Sequence, residues 1–204
     1  MSDGSKNTLA LTMMPDRLGE FSLLLQQGVS VETHVGCTLD KLLSQQWDIP
    51  PDYAAQRITT IFLNSRPIDN MATALIREDA VIALSGAMPG LVGATMRRGG
   101  YYAAMREGIS HRDTATDVTD RAATVRVKLF NLLLPELGPG FLQRGITMSA
   151  SELSGFMKSR TESFWQGCCS ALLDNRPVSP LSLLKEDLFS AGSIVRLNVI
   201  FSDP

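Results

Sequence analysis

The sequence IFLNSRPI at residues 61–68 returns as ALLDNRPV at residues 171–178. Both copies consist of an apolar run, a polar pair, Arg-Pro and a β-branched residue. A second landmark follows each copy, LIRED at residues 75–79 and LLKED at residues 183–187. The offset between the copies is 110 residues at the first landmark and 108 at the second, so the chain contains an internal repeat.

Strand patterns flank both copies of this repeat. Apolar residues alternate with other residues in these flanks, which is typical of half-buried strands. A leucine-rich stretch separates the first predicted strand of each half from the second. Matching strands are therefore predicted in pairs, at residues 8–13 and 124–129, 29–35 and 145–148, and 80–84 and 194–201.

Each half also contains a predicted helix and a predicted turn. Thr38 is a candidate N-cap for the first helix, and Ser149 with Glu152 has the spacing of a capping box at the second. The Arg-Pro pairs at residues 66–67 and 176–177 follow polar pairs at which a strand is expected to turn.

The order in each half is strand, strand, helix, strand, short strand after a turn, and final strand. This is the order of the β-grasp, a mixed sheet curled around one helix. The predicted fold class is α+β, with two tandem β-grasp (ubiquitin-like) domains. We assign residues 1–100 to the first domain with a glycine-rich extension, 101–122 to a linker and 123–204 to the second domain, which we expect to fold alone.

The pattern of both halves resembles a known family. The resemblance rests on VRVKLF at residues 125–130, a leucine-rich stretch, a capped helix, an apolar strand ending in Asp174-Asn175, and LKED at residues 184–187. The chain is similar in these features to the small sulfur carriers, which are the small subunit of molybdopterin synthase and the thiamine-biosynthesis carrier. That resemblance implies sulfur carried on a C-terminal Gly-Gly tail, and an adenylating enzyme or a cofactor synthase subunit as partner.

The sequence departs from this family at the tail. It ends VIFSDP at residues 199–204, and its one diglycine is internal, at Gly99-Gly100. Arg97 and Arg98 precede it, as in the Arg-Gly-Gly tail of ubiquitin-like modifiers. Bare glycines could pass a narrow channel, and the arginines could pair with carboxylates or phosphates. In the alternative interpretation the diglycine is a flexible turn into the connector.

The connector supplies the candidate partner contacts. It is rich in glycine and apolar residues, and exposed apolar loops often contact other proteins. The candidate contacts are Arg97, Arg98, Met88, Tyr101 and Tyr102. A net charge of −2 gives no general attraction to nucleic acid, and we expect none to bind.

Other sequence features argue against catalysis, a metal and a membrane span. His34 and Cys37 lack a second pair at zinc spacing, and no phosphate-binding or dinucleotide-binding glycine motif is present. Cys168 and Cys169 are interpreted as small buried strand residues. Glycines and a proline interrupt the uncharged residues 80–96, which indicates a short strand and a loop rather than a membrane helix. Three cysteines and a polar start favour the cytoplasm.

The sequence therefore predicts a protein without catalytic residues, cofactor or metal. The favoured function is a protein-interaction module related to sulfur carriers. The alternative is a sulfur carrier or modifier precursor for molybdopterin-type or thiamine-type cofactor synthesis, activated by cleavage after Gly100.

Overall fold

The computed structural model describes residues 7–106, 108–111, 119–185, 188–190 and 192–202. The chain is a mixed α+β protein that forms two compact units. The first unit combines the described residues up to Leu23 with those from Gly138 onward, and the second comprises residues 24–137. These units divide the chain differently from the predicted ranges 1–100, 101–122 and 123–204.

Short strands and helices make up most of the described part of the chain. The strands are β1 (Asn7–Met13), β2 (Val29–Val35), β3 (Thr60–Leu63), β4 (Arg66–Pro67), β5 (Val81–Ser85), β6 (Arg121–Phe130), β7 (Ile146–Ser149), β8 (Cys168–Leu173), β9 (Arg176–Pro177) and β10 (Ile194–Phe201). The α-helices are α1 (Ser22–Gln27), α2 (Leu39–Lys41), α3 (Pro51–Arg57), α4 (Gly90–Met96), α5 (Leu133–Arg144), α6 (Ala150–Lys158), α7 (Glu162–Gln166) and α8 (Ser182–Lys185). A π-helical turn at Leu42–Gln46 extends α2, and 3-10 helices occur at Pro15–Phe21 and Tyr101–Arg106.

In the first unit the described strands lie in the order β7-β10-β1-β8-β9. β10 is antiparallel to β7 and parallel to β1, and β1 is antiparallel to β8. Alternate residues of β1, namely Leu9, Leu11 and Met13, are buried. They share the core with Phe21, whose ring centroid lies 5.3 Å from that of Phe156.

In the second unit the described strands lie in the order β2-β6-β5-β3-β4. β6 is antiparallel to β2 and parallel to β5, and β5 is antiparallel to β3. The two units therefore share one pattern of strand directions. In that pattern β5 of the second unit corresponds to β1 of the first, and β6 corresponds to β10.

The pairing of β1 and β6 differs from the expectation that each half keeps its own first strand. β1 pairs with β10 and β8 of the predicted second half, whereas β6 pairs with β2 and β5 of the predicted first half. Helical residues 15–27 follow β1, and the 12-residue α5, about 18 Å long, follows β6, so neither strand runs directly into the next strand of its own half. The expectation is therefore wrong, because the hydrogen-bonded ladders of β1 and β6 are made with strands of the other half.

The polar pairs of the repeat form the turns β3–β4 and β8–β9, as predicted. All four of their residues have φ between 49° and 66°, which is the conformation of a type I′ hairpin turn. The first residue of each pair also fixes a neighbouring strand. Asn64 Oδ1 accepts a 2.8 Å hydrogen bond from the Val81 amide, and Asp174 Oδ1 accepts one of 2.8 Å from the Thr8 amide. An equivalent hydrogen bond therefore links the turn to β5 in the second unit and to β1 in the first unit.

The two predicted helix caps have different outcomes. The capping box is confirmed, because the Glu152 amide donates to Ser149 Oγ at 3.2 Å and the Ser149 amide donates to Glu152 Oε2 at 2.9 Å. Thr38 does occupy the N-cap position of α2, but its side chain makes no capping bond. Its hydroxyl donates to the Asp40 carboxylate instead, so the predicted Thr38 cap is wrong.

The uncharged stretch at residues 80–96 contains the short strand predicted there, β5, followed by the seven-residue α4. Among the described residues, no helix is both long and apolar enough to cross a membrane.

Candidate functional site

The connector between the two copies of the repeat contains two helical segments among the residues that the structure describes. We call residues 90–106 and 108–111 the connector hairpin. It consists of α4, a turn at residues 97–100 and the 3-10 helix Tyr101–Arg106. The predicted linker, residues 101–122, is thus partly helical, and its residues 107 and 112–118 lie outside the described residues.

A buried arginine holds the connector hairpin together. The side chain of Arg106 is 2% exposed and forms a two-pronged ion pair with Asp69, at 2.7 and 3.0 Å. Its Nε donates to the Thr95 carbonyl at 2.7 Å, and its Nη1 also donates to Ser110 Oγ at 2.9 Å. A buried cation is tolerated when it is paired and hydrogen-bonded in this way. Arg106 is thus an internal residue of the connector hairpin.

Arg98 attaches the same hairpin to the end of α3. Its amide donates to the Thr59 carbonyl at 2.8 Å, and its Nη2 donates to the Ala54 carbonyl at 2.9 Å. Partial burial lowers the pKa of Arg98. At the other end of the hairpin, the His111 amide donates to the Pro67 carbonyl at 2.9 Å. The connector hairpin is therefore bonded to residues 54–69 along its length.

Gly99 and Gly100, the candidate carrier tail, lie in the turn of this hairpin. The Gly99 amide lies 3.2 Å from Asp69 Oδ1 and donates to it, and the Gly100 amide donates to the Arg97 carbonyl at 3.2 Å. Gly99 has a φ of +60°, a conformation that favours glycine. In the uncleaved chain, the diglycine is thus a hydrogen-bonded turn.

Exposed apolar side chains concentrate on the connector hairpin. Of the 11 exposed large apolar residues in the described part of the chain, six belong to it: Leu91, Val92, Tyr101, Tyr102, Met105 and Ile109. We call these six the apolar patch. Among the predicted partner contacts, Tyr101 is 93% and Tyr102 40% exposed. Arg97 is also exposed, whereas Arg98 and Met88 are half-buried.

A groove with a volume of about 510 Å³ lies elsewhere in the second unit. Its walls come from β3, β5 and β6 and from the loop after β5. The side chains that shape it include Phe62, Ala83, Met88, Lys128 and Phe130. Most of its lining is apolar, and such a volume lies within the range of small-molecule pockets, about 300–1,000 Å³.

The Cys37 thiol and the His34 ring make contacts with different groups. The Cys37 thiol donates to the backbone carbonyl of His34 at 3.5 Å, while His34 Nδ1 lies 3.2 Å from Asp120 Oδ1. Burial raises the pKa of the Cys37 thiol, which disfavours the reactive thiolate. No cluster of three or more metal-ligating side chains occurs in the described part of the chain.

Cys168 and Cys169 open β8, as predicted, but their burial differs from the prediction. Cys169 is exposed and Cys168 is only half-buried. Burial, with a contribution from Cys169, raises the pKa of Cys168 to about 11. The interpretation of both as buried core residues is wrong, because the start of β8 lies at the margin of the core.

Compared with protein-family models, curated proteins and solved structures, the chain gives no match. The resemblance to small sulfur carriers therefore stays a prediction from the sequence.

Sequence reasoning missed two features of the second unit. Asp69, the partner of the buried arginine, lies among polar loop residues and has no local signal. The groove had a weak signal, since Phe62 and Phe130 occupy outward positions of alternating strands where polar residues are usual.

Proposed function

We propose that this chain is a non-catalytic protein of two β-grasp-like units, related to the sulfur carriers, which binds a protein partner through the connector hairpin. The shared pattern of strand directions and the matching Asn64 and Asp174 turns support the tandem arrangement. The raised pKa of the Cys37 thiol disfavours Cys37 itself as a nucleophile.

The apolar patch is the observation that carries this proposal. Its six side chains are exposed, although the hairpin beneath them is held by a buried ion pair and several backbone hydrogen bonds. A rigid support lowers the entropy lost on binding. Tyrosine and methionine are also enriched at protein interfaces. We therefore expect the partner to be a protein with an apolar contact surface.

Site-specific photo-crosslinking tests this proposal. The photoreactive amino acid p-benzoylphenylalanine replaces Tyr101 in one chain and Leu23 in another, and both chains are expressed in the native host. Leu23 is 56% exposed and lies outside the connector hairpin, so this position controls for nonspecific crosslinking by an exposed apolar residue. We expect a discrete adduct from position 101 alone. The double change Tyr101→Ser with Met105→Ser should weaken binding of the purified partner about 10-fold or more. Identical adducts from both positions would contradict the proposal.

The alternative function is a sulfur carrier or modifier precursor, with a cofactor-synthesis enzyme as partner. The internal Arg97-Arg98-Gly99-Gly100 sequence favours it. Intact-mass measurement of protein purified from the native host distinguishes the two functions. A fragment ending at Gly100, heavier by the oxygen-to-sulfur difference, would support the carrier. Full-length protein supports the interaction module.

A further inference from the structure

The groove of the second unit lies on the sheet face that points away from the core. Core residues Ile82 and Leu84 alternate along β5 with the groove residues Val81 and Ala83. Strand side chains point to opposite faces in turn, so the groove occupies the outer face.

Strand register gives the groove its shape. Ala83 stands between Phe62 of β3 and Lys128 of β6, and the next pair along these strands is Ser85 with Phe130. The two phenylalanines are thus two strand spacings apart, about 9.6 Å, and offset along the strands. The small side chains of Ala83 and Ser85 stand on β5 between them. The result is a slot with an aromatic side chain on each side and these two small residues as its floor.

Hydrogen bonds fix one end of the slot. Asn131 Nδ2 donates to Ser85 Oγ at 3.1 Å and also to the carbonyl of Ala87. The Ser85 hydroxyl donates to that same carbonyl at 3.2 Å. These bonds hold the loop that places Met88 in the groove wall. The slot is therefore defined by packed strands and a bonded loop.

Lys128 is the charged residue in the lining of the groove. Among the described residues, no carboxylate lines the groove, and Lys128 forms no ion pair. Its stem runs across Gly28, where an added Cβ would lie 3.0 Å from the Lys128 Cγ. The Arg126 Nε would lie 2.8 Å from the same added Cβ. The bare backbone of Gly28 thus leaves room for two cationic side chains, of which Lys128 lines the groove.

The first unit provides an internal comparison. By the corresponding pairings, Ala10 occupies the position of Ala83, Leu172 that of Phe62 and Asn198 that of Lys128. Ile200 likewise corresponds to Phe130. The lysine and both aromatic walls are therefore specific to the second unit, whereas the neighbouring Arg126 has a counterpart in Arg196 of the first unit.

We propose that the groove binds a small aromatic monocarboxylate, a function beyond partner binding by the connector hairpin. The groove volume of about 510 Å³ lies within the range of small-molecule pockets and leaves room for a two-ring aromatic body. The ring packs between Phe62 and Phe130, where offset or edge contacts between aromatic groups are favourable. The carboxylate receives a charge-assisted hydrogen bond from Lys128.

Calorimetric titration of the full chain tests this proposal with two probes. The probes are 2-naphthoate and naphthalene-2-carboxamide, which share the ring system and the number of non-hydrogen atoms and differ in charge. We expect saturable binding of one 2-naphthoate per chain, at least ~10-fold tighter than the amide. Lys128→Met should abolish this preference, since it keeps the apolar stem and removes the charge.

A matched pair of variants locates the site. Ala83→Leu fills the slot and should abolish binding of both probes, whereas Ala10→Leu makes the same change at the corresponding position of the first unit and should leave binding unchanged. Circular dichroism checks that each variant is folded. Three results would each overturn the proposal: no saturable binding, equal affinity for both probes in the unaltered chain, or equal effects of the two leucine substitutions. Should Ala83→Leu not fold, the Lys128→Met comparison decides alone, and a retained preference for the carboxylate overturns the proposal.

Discussion

The central position of β1 predicts that the fragment from Thr124 to Pro204 does not fold alone. In the sequence interpretation this fragment carries a full domain, but in the structure it lacks the strand that stands between β10 and β8. Without β1, both neighbouring strands lose a ladder of hydrogen bonds. The core of the unit also loses three apolar side chains.

The size of the loss follows from the burial of β1. Leu9 and Met13 are 0% exposed and Leu11 is 3% exposed. Truncating a buried leucine or methionine to alanine costs about 2–5 kcal/mol, so three such losses amount to roughly 6–15 kcal/mol. A whole domain is stable by only about 5–15 kcal/mol. Loss of β1 therefore removes about as much free energy as holds the unit folded.

Urea unfolding followed by tryptophan fluorescence measures this effect. Trp165 is the only tryptophan of the fragment, and it is 2% exposed in the full chain. The control is a permuted chain in which a flexible linker of ~16 residues, with a typical span of ~20–24 Å, joins residues 138–204 to residues 1–23 across the ~23 Å length of β1. We expect a cooperative transition only in the permuted chain. A cooperative transition of the 124–204 fragment, with a slope of ~1 kcal/mol/M, would refute the reasoning.

Three further predictions concern the connector and the thiols. Asp69→Ala leaves the buried Arg106 charge without its carboxylate. Since Asp69 is 43% exposed, we expect the local opening free energy of the connector hairpin to fall by ~2–3 kcal/mol. Hydrogen exchange should then show a ~30–150-fold fall in amide protection across residues 90–106. Equal protection before and after the change would exclude this role of the ion pair. Gly100→Ala brings a methyl group within 3.2 Å of the Arg97 carbonyl oxygen. We expect the free energy of unfolding, measured by thermal unfolding, to fall by no more than ~1 kcal/mol, and partner binding to stay intact. Lost binding at unchanged stability would instead favour a processed tail. Because the pKa of Cys168 is about 11, its thiolate at pH 8 is ~100-fold scarcer than that of an ordinary thiol. Iodoacetamide should therefore label the exposed Cys169 before Cys168. Equal labelling rates of the two cysteines, measured by peptide mass analysis, would contradict this.

The candidate site was predictable only in part. The sequence indicated the connector because glycines, tyrosines and apolar residues are concentrated there, and Tyr101 and Tyr102 are indeed exposed. It did not indicate that Arg106 is buried, because that depends on Asp69, 37 residues earlier in the chain. The groove likewise needs three strands from distant segments in one register, and no single segment carries that information.

By itself the sequence determined the local elements. The Asn-Ser and Asp-Asn turns, the capping box at Ser149 and the alternation along β1 and β6 depend on interactions within a few residues, so they could be recognised before the tertiary structure. The tertiary structure decided which strands are neighbours. Buried residues alternate along both β1 and β6, so the local pattern does not distinguish their partners. The partners lie far away in the chain, and a local pattern carries no information about residues at that distance.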